Sequence, residues 1–197
     1  MTPARERVLR ELTACIAAMR VDHPTRVAID GVTASGKTTL ADELAALLRE
    51  DRTVVRLSMD DYHRNEVERH RRGRYSPEGY YHDAFDYPRF LVALSNLAIP
   101  TDAIVLVDGV FLLRPELNEA WDYRAFIEVE LGVAYERGIE RDASWMGGEA
   151  EARRRYNLRY IPGERLYLDE VRPISLADAV VENTEPASPL LRFPADD

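Results

Sequence analysis

The stretch RVAIDGVTASGKTTLADEL, Arg26 to Leu44, decides the fold. An apolar run reaches Gly31, and an amphipathic segment restarts at about Lys37. Between them GVTASGKT, Gly31 to Thr38, satisfies G-x-x-x-x-G-K-S/T in full, in the strand-before, helix-after context that gives this pattern its meaning. Glycine at 31 and 36 lets the backbone curl until the successive N–H groups of Thr33, Ala34, Ser35 and Gly36 point inward, forming a cradle for phosphate oxygens. The helix predicted from about Lys37 adds the free N–H groups of its first turn, with Thr38 and Thr39, and the positive end of its dipole. Lys37 is expected to reach the β- and γ-phosphates of a nucleoside triphosphate, and the Thr38 hydroxyl to ligate Mg²⁺. Lys37 is also the only lysine among 26 Lys+Arg. A compact charge on a flexible stem suits a tight backbone cradle better than a broad planar guanidinium does.

The bulk properties bound the rest. A chain of 197 residues, 46% hydrophobic and 31% charged, has an ordinary globular balance and can bury a core without disulfides or structural metal. The single cysteine, Cys15, excludes an internal disulfide framework and reads as a small buried apolar residue. No run of about 18 apolar residues is present, and the N-terminus does not read as a signal peptide, so no membrane partner and a cytoplasmic setting are expected. A formal net charge of −9 argues against general nucleic-acid binding.

Segments of strand and helix character alternate along the chain. Val8, Leu9, Leu12, Ile16 and Met19 predict an amphipathic N-terminal helix over about 4–20. Leu40, Leu44, Leu47 and Leu48 predict the buried face of the helix after the glycine loop. TVVRLS, AIVLVDG, YRAFIEVEL and DAVVEN read as further strands, the second without alternation, as in a buried parallel strand. GVAYERGIERDASW, GEAEARRRYNLRYI and GERLYLDEV read as helices, and Asp83 as a helix cap. The pattern predicts an α/β fold: a three-layer α/β/α parallel sheet of the P-loop NTPase type with an arginine-rich helical lid. The expected organisation is an N-terminal helix in 1–25, a core in 26–186 with the lid at about 137–170, and a loosely packed tail in 187–197 ending in an acidic pair.

Ligands of open parallel sheets bind beyond the carboxyl ends of the strands. Asp60 and Asp61 lie just past the second strand and Asp108 at the end of the third. A carboxylate there can hold Mg²⁺ or accept a proton from an attacking hydroxyl. Seven arginines fall between 137 and 165; Arg137 and Arg141 share one helix face, as do Arg155 and Arg159. WMGGE between the two pairs offers a hinge, so the segment reads as a closing lid that carries positive charge and excludes water.

AIDGVTASGKTTLADEL, RLSMDDYHR, YYHDAFDYPRF, VLVDGVFLL, RDAS with RRRYNLRYIPGERLY, and DAVVENTEP together resemble the uridine kinase family, within the P-loop small-molecule kinases that include phosphoribulokinase and the pantothenate and nicotinamide riboside kinases. The resemblance covers about 26–186. It implies that Asp60 is the catalytic base, that Asp108 helps to hold the Mg²⁺ shell, and that Asp83 to Asp86 open a helix near the acceptor pocket. Asp61, Tyr62, His63, Tyr80, Tyr81, His82 and Asp83 would lie on the acceptor side. Arg137 and Arg141 would approach the transferring phosphate. The expected reaction is phosphoryl transfer from ATP to a hydroxyl of a small metabolite, first a nucleoside such as uridine, with pantothenate, a ribosylated vitamin or a sugar phosphate as alternatives; a nucleotide-binding regulator or slow NTPase is the reading of another class. Homo-oligomerisation stays open. One departure concerns the acceptor: the family has a longer segment before the Asp108 strand, where this chain has only SNLAIPTDA.

Overall fold

A computed structural model of the chain describes residues 1–194. Helix α1 (Pro3–Ala18) starts where the sequence provides a cap: the Thr2 hydroxyl accepts from the Arg5 amide, and Pro3 occupies the first turn. It buries Val8, Leu9, Leu12 and Ile16, while Met19 caps its end and Cys15 is half-buried. Strand β1 (Thr25–Gly31) leads through the glycine loop into α2 (Lys37–Leu48), then β2 (Val54–Ser58). A 3₁₀ turn (Met59–Tyr62) and the short helices α3 (Glu66–Arg69), α4 (Pro77–Asp83) and α5 (Tyr87–Ser95) precede β3 (Ile104–Gly109). Helix α6 (Pro115–Asn118), β4 (Tyr123–Glu128), α7 (Leu131–Met146), α8 (Glu149–Arg155), a π-helical turn (Tyr156–Tyr160) and α9 (Ile161–Val171) follow. Strands β5 (Ala179–Glu182) and β6 (Leu190–Arg192) complete the described fold.

The six strands form one sheet in the order β2-β3-β1-β4-β5-β6. All neighbours are parallel except β5 and β6, which are antiparallel. Strand alternation divides the core into two layers. Val27, Ile29, Ile104, Leu106, Ala125 and Ile127 face the cluster built with α1 and α2. Ala28, Val105, Val107, Phe126 and Val180 face the aromatic cluster built with α4, α5 and α9. A small third cluster of Tyr135, Ile139, Met146, Ala152 and Tyr156 holds the arginine-rich helices together.

The chain leaves β1 for β2 on one side and later crosses from β3 to β4 on the other. The switch point therefore lies beyond the carboxyl ends of β1 and β3, where a ligand crevice opens. The register sets Ile29 and Ser58 beside Asp108, and Asp30 beside Gly109.

Four expectations are corrected. Leu47 is 36% exposed, because it lies off the line of Leu40, Leu44 and Leu48 that meets the sheet. Asp83 ends α4 and caps nothing; the N-cap of α5 is Asp86, whose side chain accepts from the Arg89 amide, and Pro88 fits the first turn behind it. DAVVEN does not close the sheet, because Leu190–Arg192 of the tail adds an antiparallel edge strand. GEAEARRRYNLRYI is not one α-helix, since its second half widens into the π turn. The terminal pair Asp196 and Asp197 lies outside the described residues.

Candidate active site

The loop between β1 and α2 forms the floor of the crevice. Gly36 is the N-cap of α2 with φ 98°, a left-handed conformation glycine adopts without strain. A Cβ at Gly36 would also stand 2.7 Å from Nδ2 of Asn183, which donates to the Ser35 carbonyl at 2.8 Å. Ala34 is left-handed as well, with φ 59°. A non-glycine residue held there indicates backbone strain of the kind found at ligand clamps. Lys37 Nζ donates to the Val32 carbonyl across the loop at 2.7 Å. Burial lowers the Lys37 pKa, and Glu164, Asp30, Asp60 and Asp108 oppose that by attraction.

Thr38 Oγ1 donates to Asp108 Oδ2 at 2.7 Å, so the first turn of α2 and the end of β3 meet at a pair of oxygens. Asp108 is 3% exposed, and Arg56 Nη1 stands 2.9 Å from its other oxygen. No group of three or more His, Cys, Asp or Glu side chains with metal-holding geometry occurs among the described residues. The Thr38 hydroxyl and the Asp108 carboxylate are the oxygens that could hold Mg²⁺, which commonly takes one or two protein oxygens. Asp60 is exposed on the 3₁₀ turn after β2. It lines the same cavity, of about 230 Å³, as Thr33, Ala34, Lys37, Thr38, Asp108 and Arg141.

No family model matches the chain. Curated relatives do. A uridine kinase of Lactobacillus johnsonii is 24% identical over 159 residues, covering 68% of this chain and 75% of that protein. Uridine-cytidine kinase A of Dictyostelium discoideum is 28% identical over 154 residues, covering 66% of this chain and 30% of that longer protein. Among solved structures, a possible uridine kinase from Bacillus stearothermophilus superposes with a TM-score of 0.71 at 22% identity, covering 89% of this chain and 97% of that one. The chain is thus similar in sequence to uridine kinases and shares the fold of solved P-loop kinases.

The remaining expected residues fall into two groups. His63 lines the cavity, and its Nδ1 lies 2.7 Å from the Asp60 carbonyl. Tyr80 also lines it, with its hydroxyl 3.4 Å from Thr33 Oγ1. Asp61 is exposed and is not among the lining residues. Tyr62 packs edge-on against Phe90. Tyr81, one residue past Tyr80 on α4, turns away to stack on the Arg114 guanidinium at 4.4 Å, and His82 is exposed. Asp83, 3% exposed, is clamped by Arg71 and Arg72. These two ion pairs hold its carboxyl below the usual range despite burial, the largest opposing effect. Its visible role is to anchor the α3–α4 connection.

The lid arginines also divide. Arg141 lines the cavity and is held by Asp142 at 2.7 Å. Arg137 instead donates to the carbonyls of Asn183 and Thr184. It walls a separate hollow with Arg5, Ser35, Gly36, Thr39, Asn183 and Pro186 on the far side of the loop. Arg153 pairs with Glu136 and Glu149 on the surface, and Arg155 pairs with Glu151.

Glu164 and Asp30 were not singled out from the sequence. Glu164 is 1% exposed and accepts from both the amide and the hydroxyl of Thr33; burial raises its pKa. Asp30 accepts from the amides of Gly31 and Leu113 and from the Tyr167 hydroxyl, and burial pushes its pKa up to about 6. A charged residue interrupting a buried strand just before the loop was the available signal for Asp30. For Glu164 the sequence shows only one acid in a charged helix.

Proposed function

We propose that the chain transfers the γ-phosphoryl group of ATP to a hydroxyl of a small metabolite. The observation that carries the reading is the meeting, in one crevice, of Lys37, the Thr38–Asp108 pair and Asp60. A bare nucleotide site needs the first two. The exposed Asp60 carboxylate in the same cavity adds a group suited to taking a proton from an acceptor.

The loop amides and Lys37 hold the triphosphate, its nucleoside end reaching the hollow between Arg137, Asn183 and Pro186. Thr38 and Asp108 are the residues that would hold Mg²⁺, which supplies charge neutralisation at the phosphates when bound. Asp60 orients the acceptor hydroxyl and takes its proton. The acceptor oxygen bonds to the γ-phosphorus, the bond from that phosphorus to the β–γ bridging oxygen breaks, and ADP leaves. Arg141 faces the developing charge, and the lid helices exclude the water that would compete with the acceptor. Uridine, named in the relatives, is the first acceptor to assay.

Asp60→Asn tests the base directly. The asparagine keeps size and polarity but cannot accept the proton. General-base catalysis contributes roughly 10²–10⁴-fold. Transfer is expected to fall by that order while ATP affinity, measured calorimetrically, stays within about twofold. Turnover at the wild-type rate would remove Asp60 from this role.

A further inference from the structure

A second cavity, of about 180 Å³, adjoins the first. The two share His63, Arg69, Tyr80, Trp145 and Tyr160 as walls, so they are two ends of one concavity. The ends differ in charge. At the end over the phosphate loop, Asp60, Asp108 and Asp142 are matched by Lys37, Arg69 and Arg141. Arg69, Arg74, Arg155 and Arg159 line the other, with Glu66 as the one acid on its wall.

These guanidiniums are under-compensated. Arg155 and Arg74 share a single carboxylate, Glu151, at 2.9 and 3.8 Å. Arg159 is 5% exposed and donates only to the backbone carbonyls of Arg69, Arg74 and Ser76. Arg69 Nε is buried with no hydrogen-bond partner. Glu66 stands 3.7 Å from His70 Nδ1. His70 is held below its usual pKa, first by burial and then by the charges of Arg159 and Arg69. Four guanidiniums thus face two carboxylates in a half-enclosed hollow. A buried guanidinium without an anion, and a buried donor without an acceptor, both cost free energy that folding alone does not recover. An anionic ligand group would recover it through charge-assisted, bidentate hydrogen bonds.

We infer that the acceptor is an anionic hydroxy compound, a carboxylate or a phosphate monoester, whose charged group sits against Arg69, Arg155 and Arg159 while its hydroxyl lies at Asp60. The inference rests on the kinase reading and adds the substrate class. A neutral nucleoside would leave the basic end unmatched. The anionic group is bound and not altered; the only bonds that change are those of the transfer to the hydroxyl.

The test is an acceptor comparison with the full chain, Mg²⁺ and ATP. Glycerol and uridine form the neutral arm, glycerate the carboxylate arm, and glycerol 3-phosphate and ribose 5-phosphate the phosphate arm. One anionic arm is expected to exceed the neutral arm by at least about tenfold in kcat/KM, and which arm leads distinguishes the two anions. Arg69→Gln is expected to reduce that ratio by about tenfold. In parallel, inorganic phosphate and acetate are titrated calorimetrically with the loop filled by a non-hydrolysable ATP analogue and Mg²⁺. Binding of either that weakens in Arg69→Gln supports the inference even if no acceptor in the comparison is the natural one. Equal or better turnover of glycerol or uridine overturns it and leaves the kinase reading standing. So does the lack of any anion binding when no acceptor turns over. Failure of the ATP analogue itself to bind would instead remove the kinase reading.

Discussion

Lys37 shows how much one side chain can require of its surroundings. Its ammonium reaches back over the loop to the Val32 carbonyl, with Glu164, Asp30, Asp60 and Asp108 exerting attraction from around it. A guanidinium is wider and directs its donors in a fixed fork, so it cannot replace an ammonium in this cradle without moving backbone. Lys37→Arg, which matches the residue preferred everywhere else in the chain, is therefore expected to weaken ATP binding by about tenfold and to slow transfer by about a hundredfold. Nucleotide titration and steady-state kinetics read the two effects; wild-type values in both would show that charge alone suffices. At this scale the sequence was most legible where the backbone itself makes the site. Gly31, Gly36, Lys37 and Thr38 are fixed by local geometry, and their spacing displays it. Glu164 arrives from 131 residues away to meet Thr33, and no local pattern announces such a contact. Tyr80 and Tyr81 are adjacent aromatics with opposite fates, decided by a helical turn of about 100° per residue that only the packing of α4 can orient.

The elements were legible where periodicity was strong. Strands β1, β3 and β4 are apolar runs between turn residues, and α1, α2 and α7 carry buried stripes. Strand β6 was missed because three residues with exposed Leu190 carry no alternation to read. The π turn was missed because Tyr156–Tyr160 has ordinary helix-forming residues, and the widened geometry follows from packing. That packing depends on Gly138 of α7. A Cβ there would lie 2.3 Å from the hydroxyl of fully buried Tyr156, whose hydroxyl donates to Asp142 at 2.7 Å. Asp142 in turn holds Arg141. Gly138→Ala gains helix propensity of about 1 kcal/mol, but overpacking of this kind costs typically 1–3 kcal/mol or more. The expected outcome is a lower thermal midpoint, together with slower transfer because Asp142 and Arg141 are displaced. An unchanged midpoint would mean that Tyr156 has room to retreat and that the lid is loosely packed.

For the whole molecule, the order β2-β3-β1-β4 determines where chemistry can occur. It brings the ends of β1, β2 and β3 to one edge, and with them Asp30, Asp60 and Asp108. This arrangement follows from alternating strands and helices with right-handed crossovers, so the sequence pattern already implied it. The division of the crevice into a charge-balanced and a basic end was not implied, because the basic charges come from α3, the α3–α4 connection, α8 and the π turn, which meet only in the folded chain. In the proposed reaction the phosphate leaves ATP for an acceptor and not for water. The destination of the label from γ-labelled ATP, measured with the acceptor panel and Mg²⁺, tests this most directly. Label is expected on an acceptor hydroxyl at a rate well above acceptor-independent release of phosphate. Release of inorganic phosphate alone, unaffected by every acceptor, would contradict it.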